Sequence, residues 1–405
     1  MTIRGIYTKA EEEMLAEWRE RTDKLVGWLG ETPSDEVPYP VFHRVASKDL
    51  ILHMAYAADY WNPLWRDESY ARNTRWGGII APPFFQQCIS HGGPHSMKQL
   101  KVPPEVGVLE YGEGVLMRMR EDWEFLKPIY VNDSFKVWVG HPKIEDVTRP
   151  EASANRRFRI TYEMHYINQK NEVTGIFRTS RTHTILPPGT EAKKKEVKFT
   201  KEYVYTQEDI EAIDRVFDAE EIRGAKIRWW EDVNVGDELK PVVMGPVTFW
   251  DQVVEMQGFG VAVLPMIEVR RQTPGKVIID PVTNIPHKTM GFHLSEHISQ
   301  VLGAYSSNIM MNTLEHFIGR LITNWMGDDG FLRRVDLMKL NNHPLGDTIF
   351  GRGKVKKKYM SAANGYYSVD LDVWVETIRG YISDVATATV SLISKETPLC
   401  SMGIQ

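Results

Sequence analysis

Twice along this chain a helix-patterned stretch gives way to four strand-patterned stretches. A repeat of that length dictates a molecule built in two similar parts. In the first half, residues 115–123, 134–140, 157–167 and 175–186 alternate and are rich in β-branched and aromatic residues. In the second half, 331–341, 348–358, 366–375 and 381–393 do the same. Gly346-Asp347 ahead of one strand echoes Asn132-Asp133 ahead of its counterpart. The spacing predicts a helix over 9–29 and a second beginning after Ser47, a good N-cap, through Leu50, Ile51, Met54 and Ala57. A third, 84–90, follows Pro82 and Pro83. Segment 246–256 looks like 40–57, and 307–325 places Leu314, Phe317, Ile318 and Leu321 on one helical side.

With 405 residues the chain fits two domains of about 200. The stretch 187–198 has no apolar face, so we expect domains at 1–187 and 201–405 joined by a linker at 188–200. A helix followed by four antiparallel strands, twice over, predicts an α+β fold. Two antiparallel sheets, each wrapped around a central helix, would lie edge to edge and bury two exposed edges.

The net charge of -5 argues against nucleic acid as a partner. Cys88 and Cys400 are too few for a disulfide framework, and a reducing, cytoplasmic setting is expected. The first residues show no apolar leader core, and no run of about 18 apolar residues suggests a membrane span. The aromatic load of 12 Trp, 16 Tyr and 15 Phe suits packed interfaces and apolar ligand tunnels.

The segment 58–83 is the most specific. It contains Asp59, Tyr60, Asn62, Pro63, Leu64, Trp65 and Asp67, then Thr74-Arg75-Trp76-Gly77-Gly78-Ile79-Ile80-Ala81-Pro82-Pro83. It resembles the hydratase signature of the MaoC-like acyl dehydratases, Asp-x-Asn-Pro-x-His-x-Asp, with Trp65 standing where that family has histidine. Trp230-Glu231-Asp232-Val233 and Gly236-Asp237-Glu238-Leu239 look like the opening of a second such unit, and 323–332 like its later part. The resemblance implies a double hotdog fold and hydration of an enoyl-coenzyme A thioester, or the reverse dehydration. It implies no separate cofactor, because coenzyme A is part of the substrate. It also implies a homodimer or a pairing with a homologous subunit.

Adding water to an unsaturated thioester needs a base for the water, an acid for Cα, and N–H donors for the thioester oxygen. In the family an Asp and a His do the first work. Tryptophan cannot transfer a proton, so the first half is expected to be a degenerate partner, with Asp59 or Tyr60 as its remaining candidates and Trp65 in the ligand tunnel. In the second half Gly291-Phe292-His293-Leu294-Ser295-Glu296 looks like the family's histidine step. His293 is then the candidate base or acid, or else a histidine held by a backbone carbonyl. The usual partner position is Lys288, which leaves Asp280, Glu296 or His287 as replacements. Asn308 falls where the family offers an oxyanion N–H. His293 and His297 also spell the inverted zinc-protease pattern His-x-x-Glu-His, but the surrounding pattern is not that of a protease, and no metal is expected. Arg333 and Arg334 are candidates for phosphate contact or for a solvated face, and Trp325, Gly303 and Tyr305 for substrate contact. The expected activity is a hydro-lyase; the alternatives are a non-catalytic acyl-CoA-binding subunit and a thioesterase.

Overall fold

The computed structural model describes residues 4–30, 41–90, 100–109, 119–150, 155–190, 202–260, 265–272, 277–288, 291, 293–301, 306–362 and 365–396. The first half runs α1 (Lys9–Asp23), β1 (Gly27–Trp28), α2 (Lys48–Ala58), α3 (Glu68–Arg72), α4 (Gln86–Ile89), β2 (Val108–Leu109) and β3 (Arg120–Phe125). It continues through β4 (Phe135–Val139), β5 (Lys143–Asp146), β6 (Arg156–Asn168) and β7 (Val173–Leu186). The second half runs α5 (Gln207–Asp218), β8 (Val242–Met244), α6 (Phe249–Gly258), α7 (Met266–Gln272), β9 (Val277–Ile279), β10 (Pro286–Lys288) and α8 (Glu296–Val301). Then follow α9 (Met311–Met326), β11 (Phe331–Lys339), β12 (Ile349–Met360), β13 (Tyr367–Thr377) and β14 (Ile382–Ser391).

Two separate sheets were expected; there is one sheet of 12 strands, with a small β9–β10 hairpin beside it. Its main path is β1-β4-β6-β7-β3-β11-β14-β13-β12-β8, the same order read inward from either end. The halves fuse where β3 pairs antiparallel with β11, setting Trp123 opposite Val335. Neither half then exposes that edge. The register also sets Asp122 opposite Asp336, a repulsive cross-strand pair. Two arginines relieve it. Arg334 grips Asp122 at 2.7 and 3.0 Å, and Arg120 grips Asp336 from the other strand.

The same contacts recur at matching places in both halves. Ala81 N–H donates to the Ile129 carbonyl at 2.8 Å, and Ile309 N–H to that of His343 at 2.9 Å. Ile80 bridges Tyr130 as Asn308 bridges Pro344. Phe125 faces Gly175 across β3–β7 as Lys339 faces Asp384 across β11–β14. Trp65 precedes Ile80 by 15 residues, as His293 precedes Asn308. So Trp65, Ile80, Phe125 and Ile129 correspond to His293, Asn308, Lys339 and His343.

α9 is buried along almost its whole length. Its Leu314, Phe317, Ile318, Leu321 and Ile322 have no exposure, each contributing about 1.5–3 kcal/mol by leaving water. It starts at Met311 rather than near 307, because the bridges at Asn308 and Ile309 keep that stretch extended. In the first half helix occupies only Gln86–Ile89 of the expected stretch, since Phe84 takes a positive φ of 67°; residues 91–99 lie outside the described set. α1 stops at Asp23 instead of continuing to 29, because Gly27 and Trp28 pair with Val139 and Trp138 of β4. α2 and α6 meet at Ala57 and Gly258, where a Cβ on Gly258 would lie 2.3 Å from that of Ala57.

Between the halves lies a buried polar centre. The Glu315 carboxyl on α9 accepts from Trp123 Nε1 of β3 and Gln87 Nε2 of α4. Asn312 Nδ2 donates to Gln87 Oε1 at 2.5 Å. Burial, then the neighbouring Glu121 carboxyl, pushes Glu315 well above the ordinary carboxylate range, and burial raises Glu121 too.

Candidate active site

The chain leaves helical geometry at Asp59, whose φ and ψ are -157° and 63°. That turns the carboxylate inward and Tyr60 outward. A 3-10 turn at Pro63–Trp65, capped by Asn62, then brings the Trp65 indole back, and Nε1 donates to Asp59 Oδ2 at 3.0 Å. Thr323 of α9 stands behind at 3.4 Å. Burial raises the Asp59 pKa, while the Trp65, Asn62 and Thr323 bonds and Arg320 oppose the rise. Where a base pair would need an imidazole, Asp59 therefore meets a donor that holds no proton to exchange at neutral pH. Tyr60 packs at a tilt against Tyr56 and edge-on against Trp61, and carries Arg66 at 5.0 Å over its ring, away from Asp59's partners.

Beyond Trp65 a pocket opens between the two halves. Leu64, Trp65, Ile80 and Phe125 wall it from the first half, and Met326, Phe331 and Leu332 from the second. Gln86, Lys127 and Asp328 are its polar borders. Tyr70 donates to Asp328 Oδ2 at 2.5 Å, and Trp76 Nε1 to the Asp328 carbonyl at 2.8 Å, so the rim is braced across the halves. Burial raises the Asp328 pKa and lifts Tyr70 to about 12.

At the corresponding place in the second half, His293 Nδ1 lies 2.8 Å from the Asn308 carbonyl. A carbonyl only accepts, so Nδ1 carries the proton and Nε2 carries the lone pair. Burial, assisted by the Lys339 charge, lowers this imidazole to about 4, so it is neutral at pH 7. The carboxylates expected beside it are engaged elsewhere. Asp280 Oδ2 lies 2.8 Å from His297 Nε2, and the Val282 and Thr283 N–H groups hold that carboxyl well below its usual range. Glu296, opening α8, accepts from Ser307 N–H at 2.8 Å. His287 sits within β10. His293 and His297 thus face different partners, and no group of three His, Cys, Asp or Glu side chains among the described residues is placed to hold a metal ion.

Asn308 is buried, three residues ahead of the first residue of α9, with Nδ2 donating to the Ser306 carbonyl at 2.9 Å. Arg333 lies 4.5 Å over Phe331 and 4.3 Å over Tyr366, near the first pocket's mouth, and burial lowers it to about 10. Arg334 is committed to the β3–β11 seam rather than turned to either site. Trp325 is buried under Arg228, 4.5 Å away, and does not border the pocket. Gly303 and Tyr305 lie outside the described residues, as does most of the linker expected at 188–200. Lys339 was not singled out from the sequence, although Val335, Leu337 and Lys339 share the inward face of β11 and a lysine there breaks the pattern.

Residues 41–174 match the family described as "FAS1-like, dehydratase domain region". A solved MaoC-like dehydratase is 17% identical with a TM-score of 0.55, the alignment covering 89% of this chain and 99% of that one. A MaoC domain protein dehydratase from Chloroflexus aurantiacus J-10-fl is 10% identical, TM-score 0.48, covering 90% and 95%. A conserved hypothetical protein from Mycobacterium tuberculosis, described as having a double hotdog fold, is 9% identical, TM-score 0.46, covering 87% and 95%. No curated protein matches in sequence. No helix among the described residues is long and apolar enough to cross a membrane. Residues 41–174 thus resemble a dehydratase region, and the chain as a whole shares the fold of a solved MaoC-like dehydratase.

Proposed function

We propose that the chain is a hydro-lyase that adds water to, or removes it from, an acyl thioester carried on coenzyme A, and that the second half does the chemistry. The observation that carries this reading is the tautomer of His293. Its Nδ1–H is tied to the Asn308 carbonyl, so Nε2 is the basic nitrogen of a neutral ring. In the hydration direction Nε2 takes a proton from water as the oxygen bonds to Cβ. The π electrons move toward the thioester oxygen, which the first-turn N–H groups of α9 stabilise. The imidazolium then returns the proton to Cα.

The test is turnover of a series of enoyl-CoA thioesters by purified protein, followed by loss of the enoyl chromophore. His293→Gln is expected to lower kcat roughly 100-fold or more while acyl-CoA binding persists. Turnover untouched by this substitution would refute the assignment. The Trp65–Asp59 bond favours a second reading, an acyl-thioester-binding subunit without catalysis, which gains if thioesters bind but none is converted. Release of free coenzyme A thiol would instead mark a thioesterase.

A further inference from the structure

The two corresponding sites have walls of opposite chemistry. Trp65, Ile80, Phe125 and Ile129 in the first are replaced by His293, Asn308, Lys339 and His343 in the second. Lys339 is the most telling of these. It is 9% exposed, on the inward face of β11, at the place where Phe125 walls the first pocket. Among the described residues no acceptor lies within hydrogen-bond or ion-pair distance of its Nζ. Asp384 is its cross-strand neighbour, yet Asp384 Oδ2 sits 2.5 Å from His343 Nε2 instead. Glu121 is also within electrostatic reach, but it shares a hydrogen bond with Glu315. Trp65 and Phe125, their counterparts in the first half, wall one pocket, so His293 and Lys339 fall at corresponding places of one site.

An ammonium largely withdrawn from water, with no acceptor at hydrogen-bond distance among the described residues, is destabilising. A plain alkyl ligand would leave it so, whereas a carboxylate supplies both the charge and the acceptor oxygens. We propose that the second-half site takes a thioester whose acyl group itself carries a carboxylate, and that Lys339 receives that carboxylate. This rests on the thioester reading above and specifies its substrate class. Among the described lining residues of the first pocket, by contrast, the one cation is Lys127, and it is paired with Glu172 at 2.6 Å.

The test is calorimetric binding of glutaryl-CoA and valeryl-CoA to the full-length protein. These two saturated thioesters have the same chain length, and neither needs turnover to be read. Glutaryl-CoA is expected to bind roughly tenfold more tightly or better. Lys339→Met, which keeps the length of the side chain, should abolish the preference for glutaryl-CoA over valeryl-CoA; Lys339→Arg should retain it. Equal affinity for the two in the unaltered protein, or a preference that survives Lys339→Met, overturns the proposal and leaves the thioester reading standing. Binding of neither overturns the thioester reading and this proposal with it.

Discussion

Replacing Trp65 with Phe isolates the contact that distinguishes this chain's first half. Phenylalanine keeps an aromatic ring in the pocket wall but removes the Nε1–H that lies 3.0 Å from Asp59. Asp59 is 6% exposed, so the lost bond is to a buried carboxylate. At neutral pH such a bond contributes about 1.5–3 kcal/mol, against about 0.5–1.5 kcal/mol for a neutral acceptor. The smaller ring adds about 1 kcal/mol for the space it leaves. The expected loss is about 3 kcal/mol near pH 7 if Asp59 is ionised and about 2 kcal/mol once it is protonated. The sign follows from the raised folded-state pKa. The folded protein favours protonated Asp59, so its stabilising contribution is full below the unfolded carboxyl pKa and is lost as pH rises through the folded value. The assay is urea unfolding of both proteins at several pH values, repeated in an Asp59→Asn background. There the Phe substitution should cost about the neutral-bond amount at every pH. A cost below about 0.5 kcal/mol, or the same cost and pH dependence with and without the carboxylate, would refute the claim that this pair is structural.

Three other outcomes follow from the geometry. The kcat/KM profile for hydration should lose activity only as pH falls through about 4, because His293 is lowered to about 4 and must be neutral to act; an acid limb near the ordinary histidine value of about 6.5 would contradict the buried tautomer. Glu315→Gln should flatten the stability profile. The raised Glu315 favours the protonated folded state, so it takes up to about 1.4 kcal/mol per pH unit from the native chain above the ordinary carboxylate pKa, and urea midpoints across that range should fall more steeply with pH in the native chain than in the variant. Gly258→Ala should destabilise by about 1–3 kcal/mol because its Cβ would overlap that of Ala57 at 2.3 Å. An increase in stability would mean that the helix-propensity gain of about 1 kcal/mol wins and that α2 and α6 move apart easily.

Much of the architecture was legible because strand alternation is a local signal. The observed β6, β7, β13 and β14 fall within a few residues of the alternating stretches, and the halves repeat as their turn residues suggest. Long-range pairing was not legible locally. The end of α1 is decided by β4, more than 100 residues away in sequence, and the start of α9 by the strand-like bridge to Pro344. α5 was missed, although Thr206 and Asp209 form a capping box that announces it. At the site, spacing alone left Asp59 and Tyr60 as alternatives. The backbone at Asp59 decides which one meets Trp65, and no residue pattern encodes that turn. The sequence leaves Arg334 between a phosphate contact and a solvated face because its partner Asp122 comes from the other half. Lys339 was readable in principle, as the odd polar residue on an inward face.

The central claim is that proton transfer resides at His293 while Asp59 is structural. Side-by-side steady-state turnover of His293→Gln and Asp59→Asn on one enoyl-CoA substrate tests it most directly. The expected result is a kcat loss of roughly 100-fold or more for the first and a change within about threefold for the second, since Asn can still accept from Trp65 Nε1. A collapse of turnover in Asp59→Asn with His293→Gln unaffected would contradict it and return the chemistry to the first half.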